Sequence, residues 1–156
     1  MTSTSPRTLH VIANDIRSRE NVGAIFRTCE FLGVKKLWLA GYTPAPPDPK
    51  LLKISLGAEK ILAWERVADV RTVLERVKEQ GFRIIGLELR KDAKDLATYR
   101  PPTRAALLLG NEVTGIPPTL MGSCDDIVMI AKRGTKESLN VAVAAGIAIW
   151  RMSDER

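Results

Sequence analysis

Apolar and polar positions follow two periods along the chain, which predict strands and helices in turn. Leu9–Ala13 is a short, β-branched apolar run and predicts the first strand. Between Asn21 and Leu32, apolar residues recur at helical spacing, and Gly33 stands where a glycine commonly ends a helix. Leu37–Ala40 then predicts a second strand.

The second half of the chain continues this alternation. Apolar residues at helical spacing predict a helix over 70–77 that Gly81 closes, and an alanine-rich helix from Ser138 to Trp150. Apolar runs predict further strands over 82–89, 105–109 and 126–130. Strands separated by helices indicate an α/β fold: a mostly parallel sheet with helices on both faces. Ligands of such sheets bind beyond the carboxyl ends of the strands.

Domain organisation depends on the segment Thr43–Pro49, which holds four of the nine prolines and predicts irregular structure. It is either an interdomain linker or a rigid surface loop. A loop is favoured, because only about 40 residues precede it, too few for an independent domain. A short helix is predicted over Leu51–Gly57. We therefore expect one domain over residues 1–156, with its core at about 8–152.

Composition narrows the classes of protein. Hydrophobic residues make up 45% of the 156 residues, and the net charge is +6. This charge suits an anionic partner such as nucleic acid, or simply a mildly basic surface. Cys29 and Cys124 form no CxxC pair and no disulfide framework, and a single histidine cannot build a histidine-rich metal site. That histidine, His10, lies inside the first predicted strand, where a core or edge position is favoured over a catalytic base.

No segment predicts a membrane partner. The longest strongly apolar run, Val141–Trp150, is too short to span a bilayer, and residues 1–7 lack the apolar core of a signal peptide. We expect a soluble, cytoplasmic protein that binds no metal. Because the last helix is apolar nearly all round, it is either a homodimer interface or a central helix of the monomer.

Polar residues mark the start of the first helix. Asn21 opens this helix and Arg27 lies two turns inside it, beside the apolar face. A partly buried arginine there would need a carboxylate or phosphate partner. The alternative is an ordinary arginine exposed to solvent.

Two later segments carry polar residues and glycine directly after predicted strands. Leu109–Gly115 (LGNEVTG) places Glu112 in the expected ligand crevice, or else forms a turn that only satisfies backbone geometry. In Ile130–Asn140 (IAKRGTKESLN), Ser138 is the predicted N-cap of the last helix, with Asn140 in its first turn. This basic loop is either an anion site or a solvated loop. The chain has no GxGxxG motif, which argues against a dinucleotide cofactor.

Together these segments resemble the three motifs of the SpoU/TrmH family, RNA ribose 2′-O-methyltransferases of the SPOUT superfamily. The phrases ENVGAIFRTCEFLGV, LLLGNEVTGIP and ESLNVAVAAGIAI carry the resemblance, which covers about residues 8–150. The chain departs from the family pattern after Ile130, where Ala131 and Lys132 replace a common proline and methionine.

The resemblance implies a C-terminal deep trefoil knot, a homodimer, and S-adenosylmethionine as cofactor. It implies cofactor contacts at Leu87, Leu109, Gly110, Ile130, Ser138 and Leu139. It implies catalytic roles for Arg27, Asn21, Glu112, Ser138 and Asn140. Since a guanidinium is a poor base, we expect Arg27 to hold a phosphate and stabilise alkoxide charge rather than accept a proton.

The implied substrate is tRNA or rRNA, held by the basic surface of the domain itself. We expect phosphate contacts from Arg7, Arg17, Arg19, Lys132, Arg133 and Lys136. Two alternatives remain open at this point: a non-catalytic RNA-binding module of the same fold, and a methyltransferase that acts on the base instead of the ribose.

Overall fold

A seven-stranded sheet organises the protein in the computed structural model, which describes residues 5–154. The strands are β1 (Thr8–Asn14), β2 (Lys36–Ala40), β3 (Trp64–Val67), β4 (Arg83–Leu87), β5 (Lys94–Asp95), β6 (Arg104–Leu109) and β7 (Asp126–Met129). Their order is β3-β2-β1-β6-β4-β7-β5, and every neighbouring pair is parallel. The predicted α/β fold with a parallel sheet is confirmed.

Helices cover both faces of this sheet. They are α1 (Arg19–Phe31), α2 (Pro49–Ser55), α3 (Val70–Glu79), α4 (Pro118–Met121) and α5 (Val141–Ser153), with a 3₁₀ turn at Ala58–Lys60. Successive residues of a strand point to opposite faces. Val11 of β1 therefore packs with α1, α2 and α5 in one core, while its neighbour Ile12 packs with α3 and α4 in the other.

Helix α1 follows from its sequence. Its apolar stripe, which includes Val22, Phe26 and Cys29, is buried. Ser18 caps the amino end, where its hydroxyl accepts the Asn21 N–H at 3.1 Å. Gly33 follows the carboxyl end with a φ of +77°, a conformation that glycine adopts without strain. The predicted helix is confirmed and begins two residues earlier.

The outer strands β3 and β5 were not predicted. β3 is only half-buried, so it lacks the clear alternation of a covered strand, and β5 has two residues. The predicted strand over 82–89 is also shorter, because β4 ends at Leu87 and the side chain of Leu89 is 46% exposed.

The proline-rich segment is a loop attached to the sheet. The buried Thr43 hydroxyl donates to the Ala40 carbonyl oxygen at 2.7 Å and accepts the Ile16 N–H at 3.1 Å. These bonds disfavour the linker alternative. Helix α2 begins at Pro49, earlier than predicted, because Asp48 caps it and proline suits the first helical position. It ends before Gly57, since Leu56 turns to a φ of +50°.

Helix α5 corrects two predictions. Ser138 is not its N-cap: Asn140 is, and its side-chain oxygen accepts the N–H groups of Ala142 and Val143 at 2.9 and 3.1 Å. Asn140 therefore precedes the first turn instead of lying in it. Residues 131–140 are all exposed, so no packing against the core extends the helix towards Ser138.

The faces of α5 differ in their surroundings. Ala145, Ala148, Ile149 and Met152 are buried. Val143, Ile147 and Trp150 are exposed by 51%, 41% and 57%. The central-helix alternative is therefore wrong, and an apolar strip stays open. Within residues 5–154, no helix combines the length and hydropathy that crossing a membrane requires.

Candidate functional site

A cavity of about 620 Å³ lies beyond the carboxyl ends of β4, β6 and β7, beside the start of α5. Its lining includes all six residues expected at the cofactor: Leu87, Leu109, Gly110, Ile130, Ser138 and Leu139. This volume lies in the range of small-molecule sites. Parallel strands bring their carboxyl ends to one edge, which is why residues from such distant segments meet here.

The loop after β6 forms one wall of the cavity. It folds back so closely that a Cβ on Gly110 would lie 2.4 Å from the backbone of Gly115 and Ile116. The Glu88 carboxylate fixes this loop by accepting the Ile116 N–H at 2.8 Å. Sequence analysis missed Glu88, although its position directly after strand β4 could have indicated it.

Glu112 extends from this loop to the amino end of α1. Its carboxylate accepts the backbone N–H groups of Arg17 and Ser18, both at 3.0 Å, and the Asn21 amide at 3.3 Å. Burial alone would raise the pKa of Glu112, but these hydrogen bonds to the charged form outweigh it and leave the pKa below its usual value. Glu112 is therefore an ionised acceptor that positions α1.

Asn21 continues this hydrogen-bonded chain to the last helix. Its side-chain oxygen accepts the Asn140 amide at 3.2 Å, while Asn140 also caps α5. Glu112, Asn21 and Asn140 belong to the three segments singled out in the sequence, and the structure joins them directly.

The other two expected catalytic residues stand apart from this chain. Arg27 is exposed and does not line the cavity, which agrees with the alternative of an arginine exposed to solvent. Among residues 5–154, no hydrogen bond or salt bridge to the Arg27 side chain is present, which leaves its guanidinium available to an external anion. Ser138 lines the cavity with an exposed side chain.

The expected phosphate contacts fall into two groups. Arg7 donates to the Asp154 carbonyl oxygen at 2.5 Å, and Arg19 lies 3.4 Å from the Asp48 carboxylate. The remaining four are exposed, and their side chains have no hydrogen-bond or salt-bridge partner among the described residues: Arg17, Lys132, Arg133 and Lys136. Lys132 and Lys136 also line the cavity. The contacts with RNA stay predictions.

His10 is a core residue, as expected. Its ring lies against Phe82, and its Nδ1 accepts the indole N–H of Trp38 at 3.2 Å. Burial and the charges of Lys36 and Arg104 lower the pKa of His10 to about 4. Among the described residues, no three His, Cys, Asp or Glu side chains gather in a way that could hold a metal ion.

Comparison with known proteins identifies the family. The model of the SpoU rRNA Methylase family matches residues 8–150. The chain belongs to this family. A tRNA (guanosine(18)-2′-O)-methyltransferase of Aquifex aeolicus is 32% identical over 151 residues, which cover 95% of this chain and 70% of that protein.

Other SpoU relatives extend well beyond the matched region. The tRNA (guanosine(18)-2′-O)-methyltransferase TARBP1 of Mus musculus is 35% identical over 95% of this chain, which spans 9% of TARBP1. The crystal structure of the SpoU methyltransferase AviRb from Streptomyces viridochromogenes, in complex with AdoMet, superposes with a TM-score of 0.87 at 27% identity. That match covers 96% of this chain and 58% of AviRb.

Proposed function

We propose that this chain transfers a methyl group from S-adenosylmethionine to a ribose 2′-hydroxyl of tRNA or rRNA. The observation that carries the proposal is the hydrogen-bonded chain Glu112–Asn21–Asn140 at the cavity, which unites three distant segments. The substrate class is supported by the description of the family, which names rRNA, and by the names of two relatives, which name tRNA.

The cavity fits the proposed cofactor. The side chains of Leu87, Leu109 and Ile130 supply apolar walls for an adenine ring, and the close turn at Gly110 keeps that wall free of a side chain. The AdoMet complex of AviRb supports the same assignment. When bound, S-adenosylmethionine supplies an electrophilic methyl group on sulfonium.

In this proposal, Arg27 supplies the positive charge that makes the ribose 2′-hydroxyl a better nucleophile. Its free guanidinium holds an RNA phosphate and stabilises the negative charge that develops on the 2′-oxygen as the hydroxyl proton passes to water. The new bond joins that oxygen to the methyl carbon, and the carbon–sulfur bond breaks. A guanidinium has a pKa above about 12, so electrostatic stabilisation is favoured over proton abstraction by Arg27.

The proposal includes a homodimer, a knotted C-terminal part, and action in the cytoplasm as a single methyltransferase domain. The exposed Val143, Ile147 and Trp150 of α5 support the homodimer. Membership of the SpoU family supports the knot. The free cations Arg17, Lys132, Arg133 and Lys136 support RNA binding by the domain itself.

The decisive experiment incubates the protein with S-adenosylmethionine and unmodified tRNA and rRNA transcripts, followed by mass spectrometry of the digested nucleosides. We expect a 2′-O-methylated nucleoside. A methyl group on the base would indicate the base methyltransferase instead. Absence of both S-adenosylmethionine binding in calorimetry and any methylated product would favour the non-catalytic RNA-binding module.

The role of Arg27 is tested in the same assay. Arg27→Ala should lower kcat by about 10²-fold or more, because the charge that stabilises the developing oxyanion is removed. Arg27→Lys should retain a trace of activity. Arg66→Ala is the matched control, since Arg66 is an exposed arginine outside the cavity. Full activity of Arg27→Ala would refute both the base and the stabiliser roles.

A further inference from the structure

A second cleft of about 550 Å³ opens beyond the carboxyl ends of β1 and β2, on the face covered by α3 and α4. We call it the Asn14 cleft, after its most buried polar residue; its polar lining comprises Asn14, Asp15, Tyr42, Asp69, Arg71 and Thr119. It shares no lining residue with the first cavity. Asn111 links the two: it lines the first cavity and donates to the Tyr42 hydroxyl at 2.8 Å.

Asn14 is the first sign of a ligand. The residue is only 4% exposed, and its side chain has no hydrogen-bond partner among residues 5–154. In the same part of the chain, no fully enclosed side-chain nitrogen or oxygen lacks a partner, so the amide of Asn14 must face the cleft. An amide that opens only into the cleft has unused donors and an unused acceptor, and a ligand with complementary groups would satisfy them.

Tyr42 gives the cleft a fixed aromatic surface. Its hydroxyl accepts the Asn111 amide N–H at 2.8 Å, and its backbone N–H donates to the Asp15 carboxylate at 3.1 Å. The residue is nevertheless 56% exposed. Gly41 shapes this turn: its φ is +65°, and a Cβ there would lie 1.9 Å from the Asp15 carboxylate. A rigid, exposed ring beside an amide is the arrangement on which proteins stack and read an unpaired nucleobase.

The charges in the cleft favour a nucleobase over a phosphate as its ligand. Asp15 and Asp69 contribute carboxylates, against one guanidinium from Arg71. Carboxylates repel phosphate and accept hydrogen bonds from the amino and imino groups of a base. Arg71 is exposed, so it can meet the backbone of the same nucleotide from outside.

We propose that the Asn14 cleft binds an unstacked nucleobase of the RNA substrate, next to the nucleotide that is methylated. The base stacks on Tyr42, and its hydrogen-bonding edge meets the Asn14 amide. The inference rests on the proposed function for the identity of the RNA. The Asn111–Tyr42 bond places the two binding sites side by side.

The test compares Asn14→Leu and Tyr42→Ala with the wild-type protein, by filter binding of unmodified tRNA and rRNA transcripts and by methylation kinetics. For whichever RNA the wild type binds, each variant should weaken binding or raise KM roughly ten- to hundredfold. Tyr42→Phe keeps the stacking ring but loses the bond to Asn111, so it should retain most of the affinity that Tyr42→Ala loses. Affinity for S-adenosylmethionine should not change in Asn14→Leu, since Asn14 does not line the first cavity. The slope of binding against salt should also stay constant, because no phosphate contact is removed.

Several outcomes would overturn the proposal. One is wild-type RNA affinity in both Asn14→Leu and Tyr42→Ala. Another is a loss of affinity in Tyr42→Phe equal to that in Tyr42→Ala, which would indicate that the hydroxyl matters and the ring does not. If a variant folds poorly, ultraviolet crosslinking of RNA to the wild-type protein decides: a crosslinked nucleotide on Tyr42 supports the cleft, and its absence contradicts it. Since filter binding needs no turnover, an RNA-binding protein without methyltransferase activity would refute the proposed function alone.

Discussion

Glu112 is a carboxylate at the cavity whose hydrogen bonds are structural. A carboxylate beside a cavity is a natural general base, yet this one already accepts two backbone N–H groups and an amide. These bonds lower its pKa, so it holds a proton less readily than an ordinary glutamate. Its place in the structure is to fix the start of α1 relative to the loop after β6.

His10 leads to a prediction about pH. The unfolded chain binds a proton near the ordinary pKa of 6.5, whereas folded His10 does so only at about 4. The free energy of unfolding should therefore fall as the pH decreases through that window, by at most about 3 kcal/mol from this residue. Urea denaturation at several pH values measures the effect.

His10→Gln is the control for this prediction. Glutamine offers an acceptor to the Trp38 indole but does not titrate, so the variant should depend less on pH between about 6.5 and 4. An identical pH dependence in the two proteins would show that other groups account for the acid sensitivity.

At the scale of the element, the stability of helix α5 depends on its N-cap residue, Asn140. Asn140→Ala removes the acceptor for Ala142 and Val143, and should lower the free energy of unfolding by about 1–2 kcal/mol. Thermal and urea unfolding measure the change. Ser138→Ala is the matched control and should change stability little, since its side chain makes no hydrogen bond among the described residues. A larger loss in Ser138→Ala than in Asn140→Ala would contradict the observed helix start.

Asn140→Asp separates the cap from the link to α1. An aspartate keeps the acceptor for the helix N–H groups, so stability should stay near that of the wild type. It lacks the amide that donates to Asn21, however, and a carboxylate would face the Asn21 oxygen instead. We therefore expect the methylation rate of Asn140→Asp to fall, while its free energy of unfolding stays near that of the wild type.

At the scale of the whole molecule, the exposed strip on α5 predicts self-association. In sedimentation equilibrium the protein should have about twice the 17.2 kDa of one chain. Ile147→Glu should shift it towards the monomer, because a charge would be buried in the interface. Ile61→Glu changes an isoleucine that is 74% exposed outside this strip and should leave the mass unchanged. A monomeric wild-type protein at micromolar concentration would contradict the homodimer.

The sequence determined the elements whose pattern is local. Helix α1, strand β6 and the glycines that follow α1 and α3 were predictable, because periodicity and glycine conformation act over a few neighbouring residues. It also placed Glu112 in the ligand crevice, since residues that follow parallel strands gather at one edge, whereas the cofactor contacts around the first cavity came from the resemblance to the SpoU/TrmH family. The edge strands β3 and β5 escaped prediction, because a half-buried edge leaves little pattern.

Only the tertiary structure decided which of those residues touch. The bond between Asn21 and Asn140 joins positions 119 residues apart, and Glu112 reaches a helix start 94 residues away. Local pattern carries no information on such contacts, because strand order sets them. The same holds for the Asn14 cleft: Asn14 looks like the end of an ordinary strand until β2, α3 and α4 bury it without giving it a partner.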